Sequence, residues 1–216
     1  MTGFIILDKP AGITSFIGGA IVRRVTNEKK TGHTGTLDPM ATGVLPVLLE
    51  RGVKASEFML SSDKHYIATL LLGITTDTED TSGTVLTEQE VHISEADFLG
   101  ILPKFRGKIQ QIPPMYSALK VKGKKLYELA REGKEIEREP RKVMIHEIEL
   151  LEEKLPYFTI RVKCSKGTYI RTICSDLGEA LGCGAAMSHL TRVASGTFRI
   201  EDGVDPEALK TMDEAE

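Results

Sequence analysis

A polar loop punctuated by glycine runs directly into an apolar strand at residues 31–50, and this junction constrains the chain more than any other stretch. Its sequence is TGHTGTLDPMATGVLPVLLE. Gly32, Gly35 and Gly43 open backbone angles closed to other residues and let another molecule approach closely. Pro39 fixes its own φ and biases Asp38 away from the helical region. The loop carries one imidazole, His33, and one carboxylate, Asp38. A carboxylate on a stiff loop against a buried strand suits nucleophilic or general acid–base chemistry. Taken alone, the stretch also fits an ordinary turn in which Asp38 caps a backbone N–H.

Around this junction strands and helices mix without a regular βαβ rhythm. Residues 3–7 read as an apolar strand, and Thr14-Ser15 opens a helix with apolar spacing at Ile17, Ile21, Val22 and Val25. Residues 43–49 read as a buried strand and 53–60 as a helix. In 65–73, a strand, Tyr66, Ala68, Leu70 and Leu72 share one face. A polar loop is expected at 75–83, and Ser94-Glu95-Ala96-Asp97 is a capping box. A strand follows at 105–111 and a helix at 124–132, with Gly133 placed to end it. Residues 143–151 and 157–165 read as paired antiparallel strands. A helix at 168–181, a strand at 190–198 and a short helix at 206–211 complete the pattern. The expected fold class is α+β, a mixed and mainly antiparallel sheet with surrounding helices.

A chain of 216 residues fits one large domain, or one domain with a lobe inserted, and can bury a sizeable core. No apolar run approaches the ~18–20 residues that span a bilayer, and no basic leader precedes Asp8, so no membrane association or signal peptide is expected. Cys164, Cys174 and Cys183 are odd in number and lack CxxC spacing, which points to free thiols in a reducing compartment and to no zinc site. The net charge of −3 conceals an asymmetry. Residues 104–142 hold twelve Lys and Arg against five acids, a net +7. Residues 201–216 hold seven acids against Lys210, a net −6. The basic stretch, including Lys120, Lys124 and Lys125, suits phosphate binding, or else a solvated helix face with i,i+4 ion pairs.

Four further segments share the glycine- and proline-framed polar character of residues 32–44. They are LDKPAGITS at 7–15, KHY at 64–66 with GITTDTED at 73–80, QIPPMYSALK at 111–120, and SKGTYIRT at 165–172. Together, in this order and spacing, the five stretches closely resemble the TruB family of tRNA pseudouridine synthases. The resemblance covers about residues 3–198. It implies a catalytic domain over residues 1–200 and an acidic end over 201–216, with the small C-terminal RNA-binding domain of bacterial relatives expected to be absent. It also implies isomerisation of one T-loop uridine of tRNA. The N1 glycosidic bond breaks, the uracil turns, and C5 joins the ribose, without cofactor or metal.

By this resemblance Asp38 is the catalytic aspartate, and attack at C1′, attack at C6 and elimination through a glycal all remain open. Arg171 matches the arginine that pairs with it; a nearby guanidinium keeps a buried carboxylate ionised. Tyr66 matches the tyrosine that stacks on the base and takes the C5 proton. Tyr169 matches a second active-site tyrosine, with core packing as its plain alternative. His33 matches the histidine that fills the space left by the flipped nucleotide, whose extrusion costs a few kcal/mol. Asp80 matches a contact to that nucleotide, or caps its own loop. Lys9 matches a pocket-edge lysine supporting the Asp38 loop, and Lys64 is expected to meet an RNA phosphate. The implied partner is the T-arm stem-loop of tRNA, met by a cytoplasmic monomer without guide RNA. An RNA-binding or tRNA-folding module would use the same basic stretch and His33. Only the enzyme needs Asp38, Arg171 and Tyr66 together.

Overall fold

A computed structural model describes residues 2–121 and 123–211. In chain order the elements are β1 (Gly3–Lys9), α1 (Ser15–Val25), β2 (Thr31–His33), β3 (Thr42–Leu49), α2 (Ser56–Leu60), β4 (Lys64–Leu72), β5 (Ile74–Thr76) and β6 (Val85–Glu88). Then come α3 (Glu95–Ile101), β7 (Gly107–Gln111), β8 (Lys120–Val121), β9 (Lys124–Lys125), α4 (Leu126–Arg131), β10 (Arg141–Lys154) and β11 (Tyr157–Cys164). The chain ends with α5 (Ile170–Ala180), β12 (Ala185–Ser195), β13 (Phe198–Arg199) and α6 (Pro206–Leu209). The residues divide into two compact units. Of the described residues, unit 1 comprises 2–67 and 189–211, and unit 2 comprises those within 68–188.

In unit 1, β3 is the centre. Val44, Leu45, Val47, Leu48 and Leu49 are all at most 1% exposed, and burying each such side chain contributes roughly 1.5–3 kcal/mol. β1 pairs with β3 antiparallel from Gly3↔Leu49 to Lys9↔Gly43. β2 pairs with its far end, and β12 lies parallel to β3 at Thr191↔Thr42 and Arg192↔Gly43. That parallel contact is possible only at glycine: Gly43 has φ +98, and a Cβ there would lie 2.3 Å from Arg192 O. α1 begins where Thr14 accepts from the Ile17 N–H, so the expected N-cap is present.

In unit 2 the strand order is β4–β11–β10–β7. The β10–β11 pair is antiparallel with two bulges, and β7 adds to β10 from Gly107↔Ile145 to Gln111↔Arg141. The core includes Phe98 stacked on Phe158 at 4.6 Å between ring centroids. α3 opens with the expected box, in which Ser94 and Asp97 each bond the other's backbone N–H. In β4 alternate residues are buried, with Tyr66, Ala68, Leu70 and Leu72 on the inner face as expected. One parallel pairing among antiparallel ones makes the sheet mixed and mainly antiparallel, an α+β fold.

The departures are local. Residues 50–55 form a 3-10 turn, so the helix expected from 53 is only Ser56–Leu60. The loop expected at 75–83 starts as β5, which pairs with the exposed β6. The helix expected from 124 begins at Leu126, because Lys124 and Lys125 pair with Val121 and Lys120. α5 begins at Ile170 rather than 168, since Thr168 bonds back to Ser165 O. β12 begins at Ala185, five residues before the expected start. Its first residues, Ala, Ala and Met, have little intrinsic strand preference, and burial overrides it.

Candidate active site

The Asp38 loop belongs to unit 1 and is held by its backbone on both sides of the carboxylate. Thr34 N donates to Pro46 O at 3.1 Å. The Ser15 hydroxyl accepts from Leu37 N at 2.8 Å and donates to Leu37 O at 3.1 Å. Gly12 N donates to Pro39 O at 2.8 Å, and Ala41 N to Asp38 O at 3.0 Å. Asp38 itself is half-buried. A carboxylate on so constrained a backbone has few positions available to it, which is the requirement for a positioned nucleophile.

Lys9 supports the loop from beneath. Its side chain is fully buried, and its ammonium donates to Pro10 O and Ile13 O, both at 2.8 Å, and to Pro39 O at 3.3 Å. Burial pushes its pKa down to about 8, with Arg192 acting in the same direction and Asp38 opposing both. Because the folded value lies below the ordinary 10.5, the unfolded chain binds the proton more tightly. Stability should therefore rise with pH through the window from about 8 to 10.5. Urea titrations of wild type and Lys9→Met across that window measure this. The wild type is expected to gain on the variant as pH rises, and a constant difference would show that Lys9 titrates normally.

His33 lies on β2, with Nδ1 buried and without a hydrogen-bond partner. Burial first, and Arg192 second, lower its pKa and hold the ring neutral. Tyr66 is buried on β4. Lys64 is 5% exposed and donates to Leu60 O at 2.9 Å and to Ser62 O, at the turn before β4.

Arg192 had no place among the residues singled out from sequence. It shares the buried face of β12 with Leu190 and Ala194 at period two. A charge on an otherwise apolar strand face was the signal available. Its Nε donates to Val44 O at 2.8 Å and its Nη2 to Gly35 O at 3.1 Å.

In unit 2, Arg171 is 4% exposed on the first turn of α5. Nη1 donates to Thr78 O at 2.8 Å and lies 3.6 Å from Asp80 Oδ2; Nη2 donates to Tyr116 O at 3.0 Å. Asp80 also accepts from Thr78 Oγ1 at 2.9 Å, from Ser82 N at 3.0 Å and from the Ser82 hydroxyl. Asp80 thus both caps its own loop and faces the guanidinium. Tyr169 is the N-cap of α5, gripped through its backbone by Gln111, which accepts from Tyr169 N at 2.8 Å and donates to Tyr169 O at 3.0 Å. Gln111 is 3% exposed; in the sequence it ends a strand and opens the 111–120 segment, with no role of its own assigned. Asp38 and Arg171 fall in different units.

The basic stretch is partly self-compensated. Glu132 holds Lys134 at 2.7 Å and Lys124 at 3.5 Å, Glu135 holds Arg138 at 3.2 Å, and Lys125 donates to the Tyr127 hydroxyl at 3.2 Å. Lys120 is exposed on the β8–β9 hairpin. All three cysteines are buried and lie outside any disulfide. Among the described residues no His, Cys, Asp and Glu cluster could hold a metal, and no helix is long and apolar enough to cross a membrane.

Residues 23–170 match the family model for the N-terminal domain of TruB family pseudouridylate synthases, and residues 171–215 match that for the C-terminal domain of tRNA pseudouridylate synthase B. The tRNA pseudouridine synthase B of Clostridium kluyveri is 48% identical over 209 residues, 97% of this chain and 72% of that protein. That of Clostridium tetani is 50% identical over 210 residues, 97% of this chain and 73% of that protein. Among solved structures, a Cbf5-Nop10-Gar1 complex matches with TM-score 0.75 and 33% identity over 94% of this chain and 52% of the other. An H/ACA RNP bound to a substrate RNA containing 2'-deoxyuridine matches with TM-score 0.73 and 30% identity over 95% of this chain and 51% of the other. With family models matched along most of its length and relatives near half identity over nearly all of it, the chain belongs to the TruB family of pseudouridylate synthases.

Proposed function

We propose that Asp38 is the nucleophile with which this enzyme isomerises the T-loop uridine of tRNA to pseudouridine. The observation that carries the reading is the half-buried carboxylate on a loop anchored at residues 34, 37 and 39. Detaching a base and rejoining it through another atom requires a group that adds covalently, or stabilises positive charge on the sugar, and then leaves. A carboxylate meets both demands. Arg171 is assigned to keep that carboxylate ionised, Tyr66 to stack on the uracil and accept the C5 proton, and His33 to occupy the space left by the flipped nucleotide. A neutral imidazole suits that last role, since a flat uncharged ring replaces lost stacking without adding a desolvated charge. Residues 1–200 are assigned as the catalytic domain. The enzyme is assigned as a cytoplasmic monomer acting on tRNA without a guide RNA.

The decisive experiment is tritium release from a T-arm stem-loop carrying 5-tritiated uridine. Release by the wild-type chain establishes the reaction; intact binding without release would indicate an RNA-binding module instead.

The hairpin and helix around Lys120, Lys124 and Lys125 are assigned to phosphate recognition of the T-arm stem. Replacing Lys124 and Lys125 together by Glu should weaken T-arm binding about tenfold near 0.1 M salt and flatten the salt dependence by roughly two ions. Filter binding across a salt series tests this. Equal affinity at low salt would remove these residues from the interface.

A further inference from the structure

Arg192 is the largest fully buried side chain of the described residues, at 1% exposure, yet its hydrogen bonds go to two backbone carbonyls, and it forms no ion pair with a carboxylate among the described residues. A buried cation without an anionic partner is costly, and an apolar side chain of similar volume would serve packing better. The geometry around it is specific. Gly35 holds φ +90, a backbone conformation that favours glycine, and a Cβ there would meet Nη1 in ordinary contact at 3.4 Å. Gly43 admits the Arg192 backbone against β3, as described above. One nitrogen grips β3 at Val44 O, and another grips the loop at Gly35 O, three residues before Asp38. Lys9 grips the same loop at Pro39 O, one residue after Asp38. Two buried cations therefore bracket the carboxylate through backbone carbonyls, one on each side.

We propose that Arg192 is a positioning residue for the isomerase reaction: it fixes the Gly35 end of the loop and so sets the reach of the Asp38 carboxylate toward the reacting nucleotide. The inference rests on Asp38 being the nucleophile. Arg192 is buried and is not assigned to touch RNA, so its loss should act on the chemical step and not on substrate capture. A displacement of about 1 Å at a reacting group can cost about a hundredfold in rate.

The test is single-turnover tritium release over a range of enzyme concentrations, with Arg192→Met, Arg192→Lys and Asp38→Ala compared. Arg192→Met should lower the saturating rate about a hundredfold, with the half-saturating concentration within about twofold of wild type. Arg192→Lys keeps the charge and can still reach one carbonyl. It should recover part of that loss, running several-fold above methionine and about tenfold or more below wild type. If Arg192→Met does not fold, Arg192→Lys alone decides, and a thermal transition like that of wild type with a rate loss of about tenfold or more supports the proposal. A wild-type rate in Arg192→Lys when methionine fails to fold, a wild-type rate in Arg192→Met, or an effect confined to half-saturation would overturn it. If Asp38→Ala is fully active, the nucleophile assignment fails first. If Asp38→Ala is inactive while both Arg192 variants run at wild-type rate, only the positioning role fails.

Discussion

Asp38→Ala should abolish turnover, by roughly ten-thousand-fold or more, while T-arm RNA still binds with near-wild-type affinity. The size follows from the role. A nucleophile that forms or stabilises the sole intermediate has no substitute in the site, whereas removing one half-buried carboxylate subtracts little from an interface built on phosphate contacts. The fold should survive, because the loop is anchored through the backbone at residues 34, 37 and 39, and none of those bonds uses the Asp38 side chain. Asp38→Asn separates charge from shape and should be as inactive as alanine if ionisation matters. Tritium release and filter binding on the same preparations give the two readouts. Residual turnover above a few hundredths of the wild-type rate would remove Asp38 from the chemistry.

The second large effect is expected at Arg171. Its guanidinium ties the start of α5 to Thr78 O and Tyr116 O and faces the buried Asp80 carboxylate. Arg171→Met breaks all three contacts and leaves Asp80, 5% exposed, without that cation. Removing one member of a buried pair typically costs about 3–5 kcal/mol. If Arg171 also compensates the nucleophile, the chemical rate should fall by about 100- to 1000-fold. Arg171→Lys keeps the charge but cannot span two carbonyls and a carboxylate at once, so it should fall between. Urea unfolding and single-turnover rates together separate the two losses. A normal rate in a destabilised Arg171→Met would leave the arginine with a structural role only.

Much of the fold was legible because local signals and burial agree. β4 shows the period-two apolar face read from Tyr66, Ala68, Leu70 and Leu72, and α3 opens at the box read from Ser94 and Asp97. Agreement failed where long-range pairing competed with local preference, as in the early start of β12 at Ala185 and the β8–β9 pairing that shortens α4. The site divides along the same line. Asp38 and His33 stood out because glycine and proline frame them, and framing is a local property of the chain; Arg171 stood out only through the family resemblance of its segment. The burial of Lys64 was not legible, because a lysine's surroundings are not written beside it: Leu60 O and Ser62 O take its ammonium into the turn.

From residues alone came the chemistry-bearing loop, its carboxylate, the basic character of the 104–142 stretch and the α+β class. These depend on residue type and spacing over a few positions. Tertiary structure decided what holds the loop in place. Ser15 lies 22 residues from Leu37, Lys9 lies 30 from Pro39, and Arg192 lies 157 from Gly35. Each makes its contact by hydrogen bonding to a backbone group, and every residue but proline presents the same N–H and carbonyl. Such contacts leave no mark on the identity of the partner. Only the path of the folded chain selects which carbonyl a buried Lys9 or Arg192 will meet.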